Sequence, residues 1–261
     1  MLTLFTTEIT EATENRDGIA IDKLVPVNRR ELLLGVAAGF SLPVKAIAQA
    51  ITPLDITKNV CTLTCAQTLG PCYYAANLIR QDITEGEVGL PTLISFLVVD
   101  ADTCVPIENA AIDIWHTNAK GVYSAPINQM CNPGDALART KTFTRGIQMT
   151  DPRGWAHFNT VFPGWYSGRT THIHATVRRN GSEMVTTQFY FDDSLTNFIY
   201  KNHVNYLSRP NRDTTNSSDN VIGGAASRVA PFLFTTKLIN DRSLVALKVI
   251  AIRSSRTTCN A

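Results

Sequence analysis

Short apolar, β-branched segments separated by turn residues constrain the fold of this 261-residue chain more than any other feature. They run from Thr92 to Val99, Ala111 to Trp115, Ala156 to Phe162, His172 to Arg178, Val185 to Phe191 and Leu244 to Ile252. Each suits a strand and is short for a helix. Between them stand Asp100-Ala101-Asp102, Asn118-Ala119-Lys120-Gly121, Asp151-Pro152-Arg153-Gly154 and Asn180-Gly181, all turn chemistry, the last a two-residue hairpin signal. The pattern predicts an all-β protein, a β-sandwich of mostly antiparallel strands with long loops. One short helix is expected within Ser194 to Tyr206, and the polar stretch Asn211 to Gly224 reads as a mobile loop.

The first fifty residues do not share this pattern. Arg29 and Arg30 precede an apolar stretch from Leu32 to Val44, and Ala46, Ala48 and Ala50 place small residues two apart, as a signal peptidase requires. The stretch falls short of the roughly 20 residues that span a bilayer and contains Pro43, which argues against a stable membrane anchor. Residues 1–50 are therefore read as a cleaved export region and 51–261 as one folded domain, placed in the periplasm or outside the cell. The order Asn28-Arg29-Arg30-Glu31-Leu32-Leu33 resembles a twin-arginine signal, which implies transport of an already folded chain. The acidic bias of Met1 to Val27 is unusual for a leader and points to an extension or a displaced start codon.

Lys and Arg total 24 against 22 Asp and Glu, without the basic excess that phosphate neutralisation needs, so nucleic acid is not an expected partner. Six cysteines, Cys61, Cys65, Cys72, Cys104, Cys131 and Cys259, all follow residue 60, an even set suited to disulfides in an oxidising compartment. Spacing does not fix the pairing; Cys104 with Cys131 is the preferred pair, and zinc is disfavoured because the cluster at Cys61, Cys65 and Cys72 lacks a fourth ligand.

Chemistry concentrates at His172-Ile173-His174. Alternate strand residues share a face, so Ile173, Ala175 and Val177 turn to a core while His172, His174 and Thr176 face a polar environment where two imidazoles can reach one metal. Taken alone, the spacing more often marks two solvated or hydrogen-bonded histidines than a metal site. Glu85-x-Glu87 and Asp192-Asp193 read as turn or surface carboxylates, His116 reads as a packed core histidine, and His157 and His203 have no partner pattern.

The surrounding motifs carry more information. Trp115-His116, Gly121-Val122-Tyr123-Ser124, Thr150-Asp151-Pro152-Arg153-Gly154, Pro163-Gly164-Trp165-Tyr166-Ser167-Gly168-Arg169 and His172-Ile173-His174 occur in that order. Together they resemble the intradiol ring-cleavage dioxygenases over about Cys61 to Asp193. The resemblance implies one non-haem Fe(III) per chain, with Tyr123 and Tyr166 as phenolate ligands and His172 and His174 as imidazole ligands, all borne by the long loops and one strand of the sandwich. A free tyrosine has a pKa near 10, so only about one in a thousand is ionised at neutral pH, and a trivalent cation supplies the stabilisation that a phenolate requires. By the same resemblance Arg169 stabilises charge developing on the substrate ring and Tyr166 takes a proton as it leaves the metal. Gln188 is a polar position near Arg169, and Tyr73 or Tyr74, within Gly70-Pro71-Cys72-Tyr73-Tyr74, borders the substrate pocket. The implied substrates are a catechol-type ring and dioxygen, the implied product a muconic-type diacid.

The sequence departs from the best-known catechol and protocatechuate enzymes in the short interval between Tyr166 and His172, in lacking an added helical dimerisation region, and in its cysteines. These differences leave the particular catechol and the oligomeric state open. Two alternatives remain: a cupin-like metal oxygenase, completing His-x-His with a Glu and a third His such as His203, and an exported sandwich that binds ligands without catalysis.

Overall fold

The computed structural model describes residues 61–240, 242–253 and 259. The export-type region falls outside the described residues. Eight strands form two four-stranded sheets, confirming the all-β sandwich. In chain order these are β1 (Pro91–Asp100), β2 (Ala111–Trp115), β3 (Arg145–Met149), β4 (Trp155–Val161), β5 (His172–Arg179), β6 (Ser182–Tyr190), β7 (Thr235–Ile239) and β8 (Ser243–Ile252). One sheet has the order β4-β1-β8-β7 and the other β3-β2-β5-β6. All pairings are antiparallel except β1 with β8, which run parallel in register from Thr92 opposite Leu244 to Asp100 opposite Ile252. Parallel neighbours need a long crossover. Here the crossover contains the entire second sheet.

Strand alternation sets the core. Ile94, Phe96 and Val98 of β1 meet Ile173, Ala175 and Val177 of β5 in one buried cluster with Phe158, Phe189 and Phe234. Phe96 sits at its centre, with ring centroids 6.3 Å from Phe158, 5.7 Å from Phe189 and 5.9 Å from Phe234. Burying a side chain of this size contributes roughly 2 to 3 kcal/mol. The intervening β1 residues Leu97 and Val99 pack on the opposite face with Ala251 and Trp155, so this central strand is covered on both sides and reads as a continuous apolar run.

The Asn180-Gly181 turn joins β5 to β6 as expected. The helix is α1 (Asp193–Asn202), shorter than the Ser194 to Tyr206 window, and Asp192 caps it by accepting from the backbone N–H of Ser194 at 2.8 Å. β3 and β7 had no sequence counterpart. Each is a five-residue sheet edge, and Arg145-Gly146 in β3 and Lys237 in β7 break the apolar pattern that marks interior strands. The Asn211 to Gly224 stretch is not the free loop that its polarity suggests. Thr214, Asn216 and Asp219 are buried in it, and its polar groups are spent on internal turns and on the residues before β5.

The cysteine pairing corrects the Cys104–Cys131 expectation. The bonds join Cys61 to Cys104, Cys65 to Cys259 and Cys72 to Cys131, with Cα separations of 5.3, 4.5 and 5.7 Å. Cys104 lies in the turn that follows β1, where its N–H donates to Asp100. Cys131 packs with Cys72, Trp115 and Tyr123 in the loop that follows β2, in the other sheet. The segment from Cys61 thus crosses the molecule as a strap, bonded in turn to β8 through Thr64 and Ala251, to Cys259, to β6 through Gln67 and Thr186, and to the β2–β3 loop.

Candidate metal centre and active site

One rung of the second sheet organises the site. Arg145 of β3 pairs with Trp115 of β2, Trp115 with His174 of β5, and His174 with Gln188 of β6, so the four side chains share the face away from the core. His172 lies on that face one pleat along, opposite Tyr190. The strap covers the rung: Gln188 donates to the Thr68 carbonyl at 2.8 Å and Arg145 to the Cys72 carbonyl at 2.9 Å. Gly70 lies so close to the His174 imidazole that a Cβ there would stand 3.1 Å from Cε1. On its other side the ring stacks on Trp115, 4.8 Å between centroids and 9° from parallel. Sequence reasoning placed two histidines on a strand face; the slot that fixes His174 comes from β2 and from a residue more than a hundred positions upstream.

Tyr123 and Tyr166 arrive on loops. The Tyr123 N–H donates to the Cys131 carbonyl at 3.0 Å, and the ring is buried. Gly121, with φ +78°, lets this loop pass against the Trp165 carbonyl, where a Cβ would overlap the carbonyl oxygen. Gly121→Ala is therefore expected to lose at least about 1 kcal/mol in urea denaturation and to displace Tyr123; an unchanged midpoint would refute this account of the loop. Tyr166 opens a tight turn closed by the Arg169 N–H on the Tyr166 carbonyl at 3.2 Å, and Asp213 braces the turn by accepting from Ser167 at 2.6 Å and Gly168 at 3.2 Å. That turn accounts for the short interval before His172.

The two phenols converge on one nitrogen. Tyr123 Oη lies 3.2 Å and Tyr166 Oη 3.3 Å from Nε2 of His172. Nδ1 of the same ring is 2.6 Å from the Thr170 carbonyl, which can only accept, so Nδ1 carries the hydrogen and Nε2 presents a lone pair to both hydroxyls. The His172 and His174 ring centroids are 4.9 Å apart. Burial pushes His172 down to about 3 and His174 well below its ordinary value, so both imidazoles are neutral donors. It also raises Tyr123 well above 10 and raises Tyr166, against the opposing pull of Arg169. Two phenols and two neutral imidazoles gathered in a buried cluster form a donor set that a hard trivalent cation would satisfy. His174 Nδ1 remains buried without a hydrogen-bond partner.

Arg169 is held from two directions. Its Nε donates to Asp219 at 2.8 Å and its Nη2 to Gln188 at 2.5 Å, which places Gln188 inside the protein against the guanidinium. Asp219 also accepts from Thr170, Val221 and Ile222 N–H groups, so four donors fix it, and its carboxyl lies below the usual range despite burial. Arg145 is almost fully buried, donates to Ser124 and Cys72, and sits 5.9 Å from the Tyr123 ring centre. The alternatives at the strap separate clearly. Tyr73 lies inside, its ring 4.7 Å from Trp115 and its hydroxyl donating to Asp113 at 2.9 Å, whereas Tyr74 is 38% exposed.

Sequence reasoning missed Asp219, Asp213 and Arg145. The first two stand about fifty positions from their partners in a stretch whose only signal was its density of Asp, Asn and Thr. The carboxylates set aside as surface groups do not gather: Glu85 pairs with Arg80 at 2.7 Å and Glu87 accepts from Asn118 at 2.9 Å. His116 is buried, 2.9 Å from Thr160 Oγ1 and 2.8 Å from the Thr117 carbonyl. Among the described residues no group of three His, Cys, Asp or Glu could hold a metal, so the cupin-like completion is not assembled there.

Residues 69–212 match a family model described as Dioxygenase. The chain is 30% identical over 112 residues to a chlorocatechol 1,2-dioxygenase of Pseudomonas putida, covering 36% of this chain and 40% of that protein. It is 29% identical over 140 residues to the protocatechuate 3,4-dioxygenase beta chain of Burkholderia cepacia, covering 50% and 57%. The match thus spans about half the length of these curated relatives. A solved intradiol ring-cleavage dioxygenase from Tetranychus urticae superposes with a TM-score of 0.64 at 28% identity, over 75% of this chain and 96% of the other.

Proposed function

The chain belongs to the intradiol ring-cleavage dioxygenase family, and from that premise we propose that it cleaves a catechol-type ring between its two hydroxylated carbons with dioxygen, releasing a muconic-type diacid, at one non-haem Fe(III) held by Tyr123, Tyr166, His172 and His174. The observation that carries the reading is the convergence of two tyrosine hydroxyls on the His172 Nε2 lone pair, an arrangement with no evident packing purpose. Fe(III) bound there would supply Lewis acidity, favouring the deprotonated, electron-rich form of a catechol toward dioxygen.

The residues divide the remaining work by their burial. Tyr123 is almost completely enclosed and backbone-fixed, so it serves as the constant ligand. Tyr166 is partly exposed on its turn and would be the phenolate that accepts a catechol proton at Oη. Arg169, anchored by Asp219 and Gln188, holds a fixed positive charge beside Tyr166 where negative charge grows on the substrate. The strap and its Cys72–Cys131 bond exclude water from the His174 side, with Tyr73 and Trp115 as the inner wall of the pocket. The three disulfides support an exported, oxidising location.

The test is a visible spectrum with an iron count on the purified protein, followed by oxygen uptake across a panel of catechols. The expected protein is red-brown from tyrosinate-to-iron charge transfer, its band moves on adding catechol, and Tyr123→Phe loses the band. A protein that stays colourless after ferric reconstitution and consumes no oxygen would overturn the reading and leave a sandwich that binds without catalysis.

A further inference from the structure

A cavity of about 290 Å³ opens beside α1 and is walled by Trp165, Tyr200 and Tyr206 together with Lys201, Arg209 and Arg212. None of Tyr123, Tyr166, Arg169, His172, His174 or Gln188 lines it. Three cations line the cavity and no carboxylate does. Arg212 pairs with Asp193 at 2.6 Å. Among the described residues Arg209 has only neutral partners, the carbonyls of Ala119 and Trp165 and the Trp165 ring face at 4.9 Å, which orient its guanidinium without cancelling its charge. Lys201 stands exposed on α1 with no ion-pair partner among the described residues. The Arg212 side chain is 5% exposed, and its Nη2 is buried with no hydrogen-bond partner.

We propose that this cavity is a second ligand site, separate from the metal centre, that takes a small aromatic carboxylate, its ring against Trp165 and Tyr200 and its carboxylate toward Lys201 and Arg209. The walls select the class. Tyr206 is buried behind the wall, and Tyr200, packed 5.5 Å from it with its hydroxyl already turned to the Pro163 carbonyl, offers ring surface and not a hydroxyl donor. α1 borders the cavity through Asn197, Tyr200 and Lys201, the last two in its final turn, where the helix dipole disfavours a doubly charged phosphate more than a singly charged carboxylate. An exposed lysine and a half-buried arginine, neither paired with a carboxylate among the described residues, beside aromatic side chains suit a ring carrying one negative group.

The site is tested with benzoate as the probe, by calorimetry on the full chain as purified. One-to-one binding is expected, weakened at least tenfold by Lys201→Glu and unchanged by Arg169→Met, with inorganic phosphate at least tenfold weaker than benzoate. Lys201 is a solvent-facing helix residue, so its reversal does not threaten folding. Trp165 gives a second measurement: benzoate quenches tryptophan fluorescence, and Trp165→Phe removes the quenching. Absence of binding, phosphate binding as tight as benzoate, or binding lost in Arg169→Met and retained in Lys201→Glu overturns the proposal, the last by assigning the probe to the metal centre.

Discussion

Arg169→Met is expected to keep its iron and its ferric colour while kcat falls about a hundredfold to a thousandfold, the range seen when one donor to a developing negative charge is removed. The structure argues that chemistry and folding separate at this residue. Asp219, which would lose its ion pair, still accepts from three backbone N–H groups, so its carboxylate is not stranded. Methionine fills the volume of the stem without its charge. Asp219→Asn should act through Arg169 and more weakly, lowering kcat with less effect on iron content. Steady-state kinetics with an iron assay and a spectrum on each variant decides the matter. Unchanged kcat in Arg169→Met would remove the residue from the mechanism, and loss of colour would make it structural.

The largest effect on stability is expected from the bond that closes most chain. Chain-entropy scaling gives about 5 kcal/mol for the 194-residue separation of Cys65 and Cys259, and about 4 kcal/mol for the 59-residue separation of Cys72 and Cys131. Whole domains are stable by only roughly 5 to 15 kcal/mol. Cys65→Ser with Cys259→Ser should therefore bring the urea midpoint close to zero, while Cys72→Ser with Cys131→Ser should lower it less but disturb the site more. Cys131 carries the carbonyl that fixes Tyr123, and Cys72 the carbonyl that receives Arg145. A loss below about 1 kcal/mol in the first variant would show that the hydrogen bonds of the strap hold it without the cross-link.

The β-sandwich was legible because interior strands advertise themselves. β1 and β8 are nearly continuous apolar runs, β5 alternates polar with apolar residues, and the Asn180-Gly181 hairpin is local chemistry. β3 and β7 were not, since an edge strand needs to satisfy only one neighbour and can carry Arg145 or Lys237. Strand alternation also placed His172 and His174 on one face, where the structure has them. It could not show what meets them there. Gly70 against His174, Asp219 under Arg169 and Asp213 bracing the Tyr166 turn are contacts between distant segments, and no periodicity records them. The cysteine pairing failed for the same reason: which loops approach one another depends on the order of strands in the two sheets, and β1 to β8 is a crossover that alternation alone does not reveal.

The Cys65–Cys259 bond also changes what a cut chain is. Because it joins the strap to residue 259, past the last strand, the backbone between them is a closed loop, and hydrolysis of one peptide bond anywhere within it opens a ring without separating two pieces. Digestion of the native protein at an exposed turn should leave a molecule of unaltered mass apart from one water, and fragments should part on a gel only after a thiol reductant is added. A protein outside the cell among proteases could thus be nicked and remain one covalent body, with both sheets and the residues between them still assembled.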